Sequence, residues 1–161
     1  MRDTTDHASP LAVERFSAGF RIPLLTTSSG RVYLAFCPRE QRDCLLEILS
    51  RSPRAEDALA KSRPEVDRLL EETREQGYAT ATRPRRVSEE SVMAVPVLVE
   101  DRVLATVAVR FSATAVPPRV AVERFLPKLR ATAQKIRQKF TDAQHERIHP
   151  GEHAARIGDL P

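Results

Sequence analysis

Apolar residues recur at helical spacing in three segments of the first half of the chain. The first predicted helix begins after the Thr/Ser cluster at 26–29 and ends at Pro38, because proline lacks the backbone N–H that a helix interior needs. Pro38 itself suits the first position of a second helix. After a connection with a short helical turn at 55–58, a third helix has Ser62 as candidate N-cap and ends at Gly77.

From residue 78 onward the spacing of apolar residues changes from helical to alternating. Residues 78–82 form a first predicted strand. Two further apolar runs, 92–99 and 103–109, flank Glu100-Asp101-Arg102, which is typical of a β-hairpin. Both runs are apolar on two faces, so we expect both faces of the sheet to be covered.

The last predicted element is a helix over residues 118–140 with one continuous apolar stripe. The stripe consists of Val122, Phe125, Leu129, Ala133, Ile136 and Phe140. Such a stripe covers a sheet or meets a partner helix, and covering the sheet is the commoner use. Helices followed by a helix-flanked hairpin predict one α+β domain, over residues 16–141. Residues 1–15 form an irregular segment with a possible edge strand, and the polar residues 142–161 are expected to be a disordered tail.

Composition narrows the class of protein. A chain of 161 residues is long enough for one domain with a real core. No run approaches the roughly 18–20 apolar residues of a membrane span, and the N-terminus lacks the apolar part of a signal peptide. We therefore expect a cytoplasmic protein without membrane contact. Cys37 and Cys44 are too few for a disulfide framework and are expected to be free thiols.

The net charge of +4 raises the question of nucleic-acid binding. The arginines are dispersed along the chain, however, and most of them are interleaved with Glu and Asp. The one dense run is Arg83-Pro84-Arg85-Arg86, beside a predicted strand. Solvated surface is therefore the favoured explanation for most of this charge.

No catalytic motif is present. The chain has no Gly-x-Ser-x-Gly, His-Glu-x-x-His, P-loop or Gly-x-Gly-x-x-Gly sequence, and His7 stands alone in a polar segment. His145, His149 and His153 have the spacing of metal ligands on a helix, but Pro150-Gly151 interrupts that helix. We therefore expect no enzyme activity, no metal site and no cofactor.

Two features suit an anionic ligand. The hydroxyl cluster at 26–29 opens a predicted helix, where it forms either an anion-binding nest or simply a helix cap. Arg110 ends a predicted strand, where it either binds a carboxylate through two parallel hydrogen bonds or reaches solvent or a nearby Glu. Alternation places Arg110 on the face of Leu104, Thr106 and Ala108, opposite Val103, Val107 and Val109. Spacing alone leaves these alternatives open.

Residues 19–36, GFRIPLLTTSSGRVYLAF, resemble the signature of the effector domain of IclR-type bacterial transcription regulators. In that family Gly-x-x-x-Pro-Leu leads into a small-residue cluster and then Gly-Lys/Arg-x-x-Leu-Ala-Phe. Further matches follow in the family's order, at 74–78, 92–97, 103–109 and 125–130, so the resemblance covers roughly residues 16–140. The Tyr-Leu-Ala-Phe-Cys-Pro and Phe-Leu-Pro-x-Leu-Arg runs look closest to regulators of aromatic-acid catabolism.

The resemblance implies a GAF-like effector-binding domain with a curved antiparallel sheet flanked by helices. A small, often carboxylate-bearing metabolite would lie between the sheet and the small-residue helix start. The ligand-binding residues carried over by the resemblance are Ile22, Leu24, Ser28, Ser29, Val92, Ala94, Ala108 and Arg110. The family often has serines at the positions of Ala108 and Arg110, and an inward arginine there would strengthen the case for an anionic ligand.

The sequence departs from the family pattern at its N-terminus. The family's winged helix-turn-helix is absent from this sequence, so we expect specific DNA binding only through a domain that this chain lacks. The family's domain also has a helix and strands ahead of Met1, which residues 1–20 replace unless the chain is a truncation. An unpaired sheet edge would favour dimerisation or poor solubility, and we expect a homo-oligomer, either a dimer or a tetramer. The alternative function is a protein-interaction or oligomerisation module that has lost its ligand.

Overall fold

The computed structural model describes residue 19 and residues 21–83 and 89–148 of the chain. In chain order the elements are α1 (Ser28–Phe36), α2 (Arg39–Ser50), a 3-10 helix (Ala55–Lys61), α3 (Arg63–Gln76), β1 (Ala79–Arg83), β2 (Glu90–Val99), β3 (Arg102–Ser112) and α4 (Pro118–Ile148). The three strands form an antiparallel sheet in the order β1-β2-β3. The α+β class expected from the sequence is confirmed.

The helices of the first half begin and end at the residues that break the helical pattern. Thr27 caps α1, and its side chain accepts a hydrogen bond from the Gly30 amide at 3.1 Å. The helix therefore begins at Ser28, inside the Thr/Ser cluster, and the prediction that it begins after the cluster was wrong. Helix α2 begins at Arg39, one residue later than predicted, and Pro38 is its N-cap and not its first residue. Gly77 ends α3 in the left-handed conformation, with a φ of 74° that a side chain would strain.

A two-residue turn joins β2 to β3. Glu100 and Asp101 have φ angles of 48° and 60°, and positive φ at both central residues is what a type I′ hairpin turn requires. Close to this turn the pairing shifts, because Val97 pairs with Ala105 whereas Leu98 pairs with Val103. The extra residue is a β-bulge, and alternation does not continue through it. The sequence-based placement of Val103 on the face opposite Arg110 was therefore wrong, because Val103 pairs with Leu98, which lies on the same face of β2 as Val92, the partner of Arg110.

Helices cover both faces of the sheet, as predicted. On one face, α4 packs on large apolar side chains of β2 and β3 and on Tyr78, which directly precedes β1. This α4 face consists of Tyr78, Met93, Val95, Val97, Val107, Val109 and Phe111. On the other face, the α1 face, Val32 packs on Ala79 and Ala94. Helix α1 also packs against α3, and its Leu34 joins a separate core with Leu25 and Val66.

Helix α4 is longer than predicted. It continues to Ile148, although the apolar stripe ends at Phe140. The end of a stripe marks the end of packing and not of the helix, because polar residues sustain a helix until a breaker occurs. Gln138 donates to Asp142 at 2.8 Å, a hydrogen bond of helical spacing across the predicted end. The predictions for residues 1–15 and 149–161 lie outside the described residues.

Candidate functional site

The start of α1 is held in place by a compact turn. Thr27 donates its hydroxyl hydrogen to the Pro23 carbonyl at 2.6 Å while it caps the helix. Gly30 lies so close to the chain before it that a Cβ would be 2.4 Å from the Leu24 Cα, which only glycine avoids. The small-residue character of this segment is therefore a steric requirement of the turn.

Arg31 ties this turn to the sheet. Its Nε donates to the Leu25 carbonyl at 2.7 Å and its Nη1 to the Thr80 carbonyl on β1 at 3.3 Å. Because the guanidinium is partly withdrawn from water, desolvation lowers the pKa of Arg31. The helix start and β1 thus form one connected unit.

The hydroxyl cluster at 26–29 contains more than a helix cap. Thr27 is the residue that caps α1. Ser28 is 1% exposed, and its Oγ has no hydrogen-bond partner among the described residues. A buried polar group left unsatisfied costs about 1–3 kcal/mol, so capping does not explain why a serine stands here. Ser28 lies one helical turn before Val32 and on the same side of α1, which is the side that packs on the sheet. Ser29 is half-buried beside it.

Four of the predicted site residues lie side by side on the α1 face. Val92 pairs with Arg110, and Ala94 pairs with Ala108 in the next register position of that face. Ala94 is fully buried beneath Val32, whereas Ala108 is exposed and Val92 is half-buried. Helix α1 therefore covers Ala94 but not Ala108, and the surface from Ala108 toward Arg110 is accessible to solvent.

Arg110 meets an acidic residue that the sequence analysis did not identify. Its Nε lies 3.5 Å from Oε1 of Glu90, and the two side chains are only 23% and 17% exposed. Glu90 precedes Val92 by two residues and so shares its face of the sheet. The nearby Glu considered as an alternative for Arg110 is thus Glu90, and the ion pair lies at the edge of the predicted site. Its position follows from strand register, which spacing along one strand does not reveal.

The two predicted apolar wall residues lie before α1. Leu24 is half-buried and packs against the helical core that contains Leu25 and Leu34. Ile22 is half-buried as well. Their contact with a ligand stays a prediction.

Two clefts lie on the α4 side of the sheet. One, of about 300 Å³, lies at the start of α4 and includes Tyr78, Ser91, Phe111 and Val122. The other, of about 230 Å³, lies beside Val95 and is bordered by residues of α4. Neither cleft is lined by a residue that the sequence predicted for the ligand site.

Other classes of site were sought in the described part of the chain. No three residues among His, Cys, Asp and Glu come together there as metal ligands. No described helix is long and apolar enough to cross a membrane. Both cysteines are free; Cys37 is buried, and burial raises the pKa of its thiol, whereas Cys44 is exposed. The predicted histidine series reaches the described residues only at His145.

Known proteins match this arrangement. The family model described as bacterial transcriptional regulator IclR C-terminal matches residues 9–138. A candidate transcriptional regulator from Rhodococcus sp. RHA1 is 25% identical, with a TM-score of 0.66, over 84% of this chain and 55% of that one. The chain thus spans little more than half of that regulator's length.

Two further solved structures are similar. The inducer-binding domain of the PobR transcription factor from Acinetobacter, a double mutant in complex with 3-hydroxybenzoic acid, is 26% identical, with a TM-score of 0.60, over 80% of this chain and 75% of that one. An IclR protein from Thermotoga maritima is 23% identical, with a TM-score of 0.63, over 79% of this chain and 51% of that one, and this likeness concerns the fold alone.

Proposed function

This chain belongs to the C-terminal domain family of the bacterial IclR transcriptional regulators, and we propose that it binds a small carboxylate-bearing metabolite as a regulatory signal. The family and its structural neighbours are transcriptional regulators and not enzymes. The observation that carries the proposal is the unsatisfied, buried hydroxyl of Ser28, on the side of α1 that packs on the same sheet face as Arg110. The ligand would be met in the cytoplasm, where a bacterial transcription regulator acts.

In the proposed complex the ligand carboxylate exchanges with Glu90 as a partner of Arg110. A guanidinium presents five N–H donors in a plane and can hold a ligand carboxylate through two parallel hydrogen bonds, as an alternative to its ion pair with Glu90. Val92, Ala94 and Ala108 form a floor of small side chains for the apolar part of the ligand. Ser28 gains the hydrogen bond that it lacks, and Ser29, Ile22 and Leu24 border the ligand from the side of the helix start.

An aromatic acid is the first ligand class to test. The small floor residues suit a flat ring, and the PobR domain with 3-hydroxybenzoic acid is a relative at 26% identity. Binding would shift a conformational equilibrium in which α1 moves relative to β2 and β3, while Arg31 keeps the start of the helix linked to β1. Such a movement would reach α3 directly, because the Arg74 guanidinium donates to the Ala35 carbonyl at 2.6 Å.

Calorimetric titration with benzoate, hydroxybenzoates, phenylpropionate and short-chain acids tests the proposal, with the corresponding neutral amides as controls. We expect at least one acid to bind and its amide to bind at least tenfold more weakly. If no acid binds, or if the amides bind as well as the acids, the proposal of a carboxylate sensor is wrong.

A second candidate function is assembly with another copy of this chain. The observation that favours it is β3, an 11-residue strand whose only strand neighbour in the described part of the chain is β2. Leu104 at its bulge is 41% exposed, and an edge of this kind invites pairing with another strand. Sedimentation should then show a dimer or tetramer that Leu104→Lys weakens. A wild-type chain that remains monomeric at high concentration would contradict this candidate.

A further inference from the structure

The middle of α4 carries an uninterrupted concentration of positive charge. Residues 124–139 contain six basic residues and no acidic one. Four of them, at spacings of four, seven and four, fall within about 60° of one another around the helix, at 3.6 residues per turn. This cation row consists of Arg124, Lys128, Lys135 and Lys139, all exposed. At a rise of 1.5 Å per residue it is about 22 Å long.

The cation row differs from the other charged helices of the protein. On α2 and α3 most arginines form ion pairs with acids one helical turn away, as in Arg39 with Asp43 and Arg68 with Glu72. No ion pair joins any member of the cation row to a described acidic residue. The other two basic residues of the segment belong elsewhere, since Arg130 donates to the Gln76 carbonyl at 3.0 Å and Arg137 borders a cleft beside the sheet.

We propose that the cation row on α4 is a binding surface for the phosphate backbone of duplex DNA, so that the sensing domain itself contributes sequence-independent affinity. Over about 22 Å, one strand of a duplex carries about six phosphates along its axis. Four cations in a line can neutralise several of these, and the counterions released supply the free energy of binding. This contribution is separate from the proposed ligand site, which lies on the opposite face of the sheet.

The surroundings of the row favour a polyanion over an acidic protein surface. A protein interface with useful affinity needs buried aromatic or aliphatic anchors. Ala131 and Thr132, which lie between the cations on the exposed side, offer none, and the row ends at Asp142. The exposed apolar residues Val120 and Ile136 are about 24 Å apart along the helix and so form no common patch. A phosphate backbone requires only regularly placed positive charge and hydrogen-bond donors.

The test is fluorescence anisotropy with a labelled duplex of 20 base pairs and random sequence, added to the full chain at 50–200 mM salt. Four phosphate contacts predict that log K falls with log salt with a slope of about −3.6, or about 150-fold over this range. The variant Arg124→Gln/Lys128→Gln/Lys135→Gln/Lys139→Gln should lose more than tenfold in affinity at 50 mM, and its slope should approach zero.

A control variant of equal net charge distinguishes an effect of the cation row from an effect of net charge alone. Arg39, Arg51, Arg68 and Arg119 are exposed and each pairs with an acid four residues away. Changing all four to Gln gives the same net charge as the row variant, 4 − 4 = 0. We expect this control to keep most of the affinity, with an unchanged thermal midpoint in both variants as evidence of folding. Equal losses in both variants, absence of salt-dependent binding by the wild type, or equally tight binding of poly-glutamate would each overturn the proposal.

Discussion

The two faces of the sheet are covered by helices but built from different side chains. The α4 face carries Met93, Val95 and Val97 against Leu126 and Leu129, all large and buried. The α1 face carries alanines and an ion pair, and the helix that covers it contributes a buried hydroxyl. Each buried methylene contributes about 0.8 kcal/mol to stability, so small and polar residues on the α1 face forgo stabilisation that the α4 face obtains. Side chains that contribute less to stability than larger apolar ones would are typical of a binding site.

The largest expected effect is on the α4 face. Met93 is fully buried, and Met93→Ala should lower the free energy of unfolding by about 2–5 kcal/mol, because it leaves a cavity between sheet and helix. Urea unfolding measures the loss. Val92→Ala on the neighbouring, half-buried position of the other face is the control and should cost clearly less. Equal losses at the two positions would remove the contrast between the faces.

A smaller loss of stability is expected at the helix start on the α1 face. Gly30→Ala places a Cβ against the Leu24 backbone, and overpacking of this kind costs about 1–3 kcal/mol. The strain would also displace the start of α1 and weaken ligand binding. Thermal unfolding and calorimetry check both effects. A substitution without cost would mean that the turn before α1 adapts easily, contrary to the close approach seen here.

Arg110→Gln should weaken ligand binding and should also cost some stability, because it removes the ion pair with the largely buried Glu90. Arg110→Gln removes the charge-assisted contact, so we expect a carboxylate ligand to bind about 10- to 100-fold more weakly, equivalent to about 1.4–2.8 kcal/mol. Glu90→Gln is the matched variant and should strengthen binding, since the ligand no longer competes with a carboxylate. If the two variants change affinity in the same direction, the proposed exchange at Arg110 is wrong.

The smallest expected change in stability has the opposite sign. Ser28→Ala removes a buried hydroxyl that lacks a described partner, so the free protein should be unchanged or stabilised by up to about 1 kcal/mol. The same variant should bind the ligand more weakly, whereas Ser29→Ala, at a half-buried position, should do less. Loss of stability on Ser28→Ala would indicate that this hydroxyl has a structural role.

Local chemistry explains how much of the fold was predictable. Pro38 and Gly77 act on the turn in which they stand, and the helix limits they set were predicted within a residue, whereas α1 begins two residues earlier than predicted because Thr27, inside the cluster, is its cap. The bulge before Leu98 and the meeting of Glu90 with Arg110 depend on how two strands pair, and no pattern within either strand reveals them. The same limit applies to the hydroxyl cluster, where only burial distinguishes the capping Thr27 from the unsatisfied Ser28.

The turn between β2 and β3 is a place where a substitution could increase the stability of this domain. Glu100 and Asp101 hold a left-handed backbone that glycine or asparagine adopts more easily, and each residue of this kind carries a cost of about 1–2 kcal/mol. The turn joins the two strands that bear the ligand-floor residues, yet it lies at their far end. A substitution such as Asp101→Gly would therefore stabilise the domain at a site remote from the ligand floor. A protein that acquired it could tolerate new, destabilising side chains at Val92 or Ala108. Such changes in the floor could then produce a different ligand specificity.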